Sequence, residues 1–241
     1  MARFNDYSPD HRVPLLENPL PNTPTSITCY TDILCVWAYI AERRLAEIRS
    51  VFGSKVTIDH RYISLFADTE TKLATRWKER GGFDGYADHV SEVCKSFDHI
   101  NLHPNVWRKT KPRSSVGIHL VLRAIGLTNA DPRLVEKTAS ALRLAFFEQG
   151  LDIANWDVQK QVIGSIGLDW QTIMPHLKNG SAFAALHQDT QEQQTHKIEG
   201  SPTYLLNNGR QKLYGNVGFK IIEANIQELL RDPNPEHASW C

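Results

Sequence analysis

The run Thr28-Cys29-Tyr30-Thr31-Asp32-Ile33-Leu34-Cys35-Val36-Trp37-Ala38-Tyr39-Ile40 decides the fold of this chain. Its first half is β-prone and its second half opens a helical repeat, so a strand hands over to a helix at Cys35. A thiol at that junction faces the unpaired N–H groups of a helix start and the positive end of the helix dipole. Both favour thiolate, so the expected pKa lies below the free value of about 8.5. Three residues further on stands Ala38, where a dithiol motif would carry its second cysteine. The poised thiol is alone.

Upstream of the junction, residues 26–30 read as a strand. Downstream, residues 37–51 have helical spacing, with Ile40, Leu45, Ile48 and Val51 apolar against Glu42, Arg43, Arg44 and Glu47. Gly53 suits the C-cap. Residues 55–65 read as a second strand, which completes a βαβ unit whose crossover is expected to be right-handed. From 68 to 195 the β signal fades. Helical patterns cover 69–80, 86–96, 114–125, 132–148, 155–166, 169–177 and 181–195, punctuated by Gly81-Gly82, His103-Pro104, Gly126 and Gly150. Residues 203–206, the turn Asn207-Asn208-Gly209 and residues 211–214 form a hairpin signal, and a closing helix spans 217–230.

The order is β-α-β, a long helical stretch, then β-β-α. This predicts an α/β chain with a thioredoxin fold that carries a large all-helical insertion. The expected division is an extended arm over 1–25, rich in proline, and a discontinuous thioredoxin-like domain over 26–67 and 196–231. Residues 68–195 are the helical insertion. A tail over 232–241 follows, where Pro233 and Pro235 end the last helix.

Bulk properties exclude several classes. The 241 residues carry 27 basic and 27 acidic side chains, so no net field draws in nucleic acid or an anionic membrane. No apolar stretch approaches the ~20 residues of a membrane helix. The first residues lack the apolar run of a secretory signal, which predicts a cytoplasmic chain with reduced thiols. The four cysteines, Cys29, Cys35, Cys94 and Cys241, have no spacing of a zinc site or disulfide framework. His89, Cys94, His99 and His103 present no consistent ligand face, so no metal is expected. Phosphate loops and a Gly-x-Ser-x-Gly elbow are absent.

Residues 29–45 resemble the opening of cytosolic DsbA-like oxidoreductases of the FrnE type. That pattern is a strand followed by Tyr-Ser/Thr-Asp-x-x-Cys-Pro-Trp-Cys-Tyr-Ile/Leu-Gly-Glu-Arg-Arg-Leu. Tyr30, Thr31, Asp32, Cys35, Trp37, Tyr39, Ile40, Glu42, Arg43, Arg44 and Leu45 match it, while Val36 replaces the proline, Ala38 the second cysteine and Ala41 the glycine. His119 is similarly placed to a helical histidine facing the family's active site. The segment from Phe146 to Ile153 is similar to Phe-Phe-x-x-Gly-x-Asp-Ile, and Gly200-Ser201-Pro202-Thr203-Tyr204 resembles a Gly-Val-Pro-Thr-Phe loop bearing a cis-proline.

The resemblance implies a catalytic Cys35 within an active-site motif of Asp32, Val36, Trp37 and Ala38. It also implies that Ser201, Pro202 and His119 meet substrate or glutathione. Other readings stay open residue by residue. Asp32 is equally a turn or capping acceptor, Trp37 a packing residue and His119 a satisfied helix histidine.

With no resolving thiol, an external one must complete the cycle. The expectation is therefore a single-cysteine thiol–disulfide oxidoreductase linked to glutathione as co-substrate, with no tightly bound cofactor. A small thiol or disulfide, or an extended peptide, would be the partner, and a homodimer is compatible with the resemblance. Two alternatives remain. One is a glutathione-dependent transferase or isomerase of the kappa or 2-hydroxychromene-2-carboxylate isomerase type. The other is a redox-inactive peptide-binding module.

Overall fold

The computed structural model describes residues 24–128 and 131–232. The expected arm, apart from residues 24 and 25, and the expected tail, apart from residue 232, lie outside the described residues.

Strand β1 (Thr25–Thr31) leads through a four-residue turn into helix α1 (Val36–Phe52), and Gly53 at φ +53° caps it. A short 3-10 turn then enters strand β2 (Val56–Tyr62), which runs parallel to β1. Helices α2 (Thr69–Arg76), α3 (Gly82–Lys95), α4 (Val116–Thr128), α5 (Pro132–Phe147), α6 (Trp156–Ser165), α7 (Trp170–Lys178) and α8 (Ser181–Thr195) follow. The hairpin is strands β3 (Thr203–Leu206) and β4 (Gln211–Tyr214), and helix α9 (Phe219–Arg231) closes the order. Among the described residues the sheet order is β2-β1-β3-β4, with β3 antiparallel to both neighbours. This is the expected thioredoxin-like fold with a helical insertion.

The largest differences in extent fall on two of the predicted helices. The stretch expected as one helix over 69–80 stops at Arg76 and tightens into a 3-10 turn over Lys78–Arg80. The helix expected from residue 86 starts at Gly82 instead. The Gly81-Gly82 pair is a helix start rather than a gap. Gly85, inside the first turn of α3, admits no side chain, because a Cβ there would lie 1.5 Å from the Arg80 carbonyl oxygen.

α1 lies between two packed layers. Ala41, Leu45, Ile48 and Phe52 join Ile27, Cys29, Val56, Ile58, Tyr204 and Leu206 of the sheet and Ile222, Ile226 and Leu229 of α9. The opposite side of its first turns, Val36, Tyr39 and Ile40, packs into the helical insertion with Val90, Trp107, Leu142, Phe146 and Phe147. Tyr39 stacks on Phe147 with ring centroids 4.8 Å apart and planes 1° from parallel. Burial on both sides explains why a helix with charged residues at 42–44 still carries a run of apolar residues at its start.

Candidate active site around Cys35

Cys35 is the N-cap residue of α1, with extended φ/ψ of −82° and 117°. The turn that places it is closed by its own N–H donating to the Asp32 carbonyl at 3.1 Å, while its carbonyl accepts from Ala38 and Tyr39. Asp32 is the hub of that turn. One carboxylate oxygen accepts from the Leu34 N–H at 2.9 Å, and the other accepts from the Phe66 N–H and the Ser115 hydroxyl, each at 2.9 Å. The residue is fully buried. It is therefore a turn acceptor, and the cap position belongs to Cys35 itself.

The Ser201–Pro202 peptide is cis and lies against this turn. The Cys35 thiol donates to the Ser201 carbonyl at 3.2 Å, and the Asp32 N–H donates to the Ser201 hydroxyl oxygen at 2.9 Å. The loop entering β3 and the loop leaving β1 are thus joined at two points, 166 and 169 residues apart in sequence.

The expectation of a depressed Cys35 pKa is corrected by this geometry. Only 7% of the residue is exposed, and burial pushes the thiol up from its ordinary value. The N–H groups of Ala38 and Trp37 and the Ser201 side chain act the other way, while the charge of Asp32 adds to the rise. Helix-start donors are present as anticipated, but removal of water outweighs them. Cys29, deeper under α1, is pushed up to about 12 by burial.

His119 projects from α4 into the same turn. Its Nε2 accepts the Ile33 N–H at 3.3 Å and lies 3.8 Å from the nearer Asp32 carboxylate oxygen, and its ring stacks on Tyr62 at 5.2 Å. An accepting Nε2 places the ring proton on Nδ1. Burial holds the ring neutral, with its pKa pushed down to about 4. The structure therefore brings Asp32, Cys35, His119, Ser201 and Pro202 together, with Val36 and Ala38 buried beside them. Trp37 turns away and meets Phe97 edge-on at 6.2 Å. Of the four residues weighed for metal, His89 lies against Trp77, His99 against Phe97, and His103 accepts from the Asn105 N–H.

Two residues of the site escaped the sequence reading. Ser115 sits four positions before His119, on the same helical face, and that spacing was the available signal. Lys72 of α2 carried none. Its ammonium donates to the Leu65 carbonyl at 2.8 Å, sits 3.6 Å from the centre of the Phe66 ring, and senses the charges of both Asp32 and Cys35. It also lines a cavity of about 400 Å³ with Ser64, Leu65, Thr71 and Arg76.

A family profile described as the DSBA-like thioredoxin domain matches residues 26–227. The chain belongs to that family. Its structure is similar to a candidate protein disulfide isomerase from Nitrosomonas europaea, at TM-score 0.73 and 14% identity, covering 88% of this chain and 100% of that one. It is also similar to the cytosolic disulfide reductase DsbM from Pseudomonas aeruginosa, at 0.64 and 16%, covering 84% and 98%. DsbM has also been solved with GSH. A third likeness is to a 2-hydroxychromene-2-carboxylate isomerase, at 0.63 and 16%, covering 86% and 97%. No curated protein matched the chain by sequence. At these identities the likenesses show the DsbA-like architecture.

Proposed function

We propose that this DsbA-like protein is a thiol–disulfide oxidoreductase that uses Cys35 as its only nucleophile and a tripeptide thiol such as glutathione as the external reductant. The observation that carries the reading is the meeting of the Cys35 sulfur, at the start of α1, with the Ser201 carbonyl 3.2 Å away. A nucleophilic sulfur beside a backbone edge suits a substrate held in extended form.

The cycle balances without a second protein thiol. The Cys35 sulfur attacks a disulfide RSSR′, forming Cys35–S–S–R and releasing R′SH. One glutathione then displaces RSH to leave Cys35 glutathionylated, and a second attacks the glutathione sulfur, giving oxidised glutathione and free Cys35. The net change is RSSR′ reduced by two glutathiones. Ala38 favours this route, because no neighbouring thiol competes to resolve the mixed disulfide. Crystals of DsbM with GSH and its cytosolic description support both the reductant and a cytoplasmic setting. A FrnE-type assignment rests on the motif around Cys35.

The test is reduction of a small disulfide by glutathione, with oxidised glutathione recycled by glutathione reductase and NADPH consumption followed. Wild type is expected to turn over and Cys35→Ser to be inactive. Activity retained in Cys35→Ser removes the reading. The likeness to 2-hydroxychromene-2-carboxylate isomerase, together with Ala38, favours a second reading as a glutathione-dependent isomerase. It would show as isomerisation that needs glutathione but consumes none.

A further inference from the structure

Helices α1 and α5 do not close fully over strand β2. Between them lies a cavity of about 300 Å³, with His60 and Arg143 at its floor and Arg43, Glu136 and Ser140 towards its mouth. Leu45 and Ala139 are its apolar walls. His60 stands beside Cys29 in the β1–β2 register, on the sheet face that α1 covers. The floor is buried, with His60 7% and Arg143 4% exposed, whereas Arg43 is exposed. None of the residues gathered around Cys35 lines this cavity.

The floor holds hydrogen-bonding capacity that the protein leaves unused. Arg143 donates to Glu42 and, at 2.7 Å, to the Thr31 hydroxyl, but its Nε–H is buried without a partner among the described residues. The backbone of His60 is engaged by Asp59, Arg61 and Arg123, while neither ring nitrogen is hydrogen-bonded among the described residues. Burial keeps that ring neutral, with its pKa pushed down to about 3, so it offers one N–H and one acceptor. Buried donors left without an acceptor are costly, and these call for an occupant.

Charge decides what kind. Glu42 is matched by Arg143 and Glu136 by Arg49, while Arg43 has no acidic partner among the described residues. Three guanidinium groups therefore meet two carboxylates, an excess of one positive charge. A second cavity across α5, of about 320 Å³, makes no such demand: Arg61 and Arg123 there are paired with Asp59, Glu192 and Asp189.

We propose that the α1–α5 cavity is a binding site for a small aliphatic monocarboxylate. Its carboxylate is held by the Arg143 Nε–H, the His60 ring N–H and Arg43, and its hydrocarbon part lies against Leu45 and Ala139. Two oxygens on one planar group suit donors that converge from two side chains. A single negative charge matches the single positive excess, whereas a phosphate dianion would face Glu42 and Glu136 with charge to spare. The site is separate from Cys35 and does not depend on the thiol-exchange reading.

The experiment titrates wild-type protein with butyrate and, in parallel, with butyramide and inorganic phosphate. The imidazole signals of His60 are followed in NMR spectra and assigned by their absence from His60→Gln. Butyrate is expected to shift them saturably with a Kd of about one millimolar, the range open to a ligand of about six heavy atoms. Butyramide, alike in shape but uncharged, and phosphate are expected to bind about tenfold more weakly or not at all. Ser140→Leu, which fills the mouth, is expected to abolish the shift, and the exposed change Arg43→Gln to raise the Kd several-fold. The proposal is overturned by no saturable shift with butyrate, by butyramide or phosphate binding as tightly, or by a Ser140→Leu variant that binds as wild type does. Should Ser140→Leu fail to fold, the butyramide comparison and Arg43→Gln decide, and an unchanged Kd in Arg43→Gln overturns the proposal.

Discussion

At the scale of single residues, the site is held by hydrogen bonds to Asp32 rather than by contacts to the sulfur. Its carboxylate satisfies the Leu34 and Phe66 N–H groups and the Ser115 hydroxyl, all in a fully buried setting. Each donor left without an acceptor costs about 1–3 kcal/mol. Asp32→Ala is therefore expected to lower stability by about 3 kcal/mol or more, measured by urea unfolding. In any fraction that folds, the Cys35 midpoint should fall, because a like charge is gone. A second variant, Ala38→Cys, places a thiol three residues from Cys35. It is expected to lose both of those thiols to an internal disulfide on mild oxidation, counted by mass spectrometry, while still consuming two glutathiones per disulfide reduced. The place of Cys35 at the start of α1 was legible in the sequence. Its protonation was not. That property depends on Ser201 and on how completely the insertion helices cover the sulfur, neither of which local spacing encodes.

At the scale of elements, α8 is fastened along the outer edge of β2. Asp189 accepts the Tyr62 N–H at 3.0 Å and pairs with the Arg123 guanidinium from α4, which itself donates to the His60 carbonyl at 2.7 Å. One buried carboxylate thus joins a strand edge and two helices. Removing one member of such a pair leaves a charge without compensation and costs about 3–5 kcal/mol. Asp189→Ala is expected to fall in that range by thermal unfolding, with Arg123 exchange-broadened in NMR spectra. The bounds of α8 and of the β3–β4 hairpin were readable from periodicity and from the Asn-Asn-Gly turn, because their signals are local. The start of α3 was not, since Gly85 is required there by the close Arg80 backbone rather than by any helix rule.

At the scale of the whole molecule, two buried histidines make stability depend on pH. His60 is pushed down to about 3 and His119 to about 4, chiefly by burial. In the unfolded chain both titrate near 6.5. Above that value neither state binds the proton and the full stability is present. As pH falls from about 6.5 towards 4 the unfolded chain takes up protons that the folded one refuses, and stability drops by up to about 1.4 kcal/mol per unit for each histidine. The urea midpoint is expected to fall steadily from pH 7 to pH 5, and His60→Gln should reduce the slope. A flat profile would contradict the neutral assignment. The position of α1 has a further consequence. It is the shared wall of the sheet layer and of the insertion, so neither layer can keep its own interior if the other melts. Fluorescence from the insertion tryptophans and circular dichroism of the whole chain should therefore report one coincident transition, and a fragment released by cutting between β2 and α2 would carry away an open seam rather than a finished body.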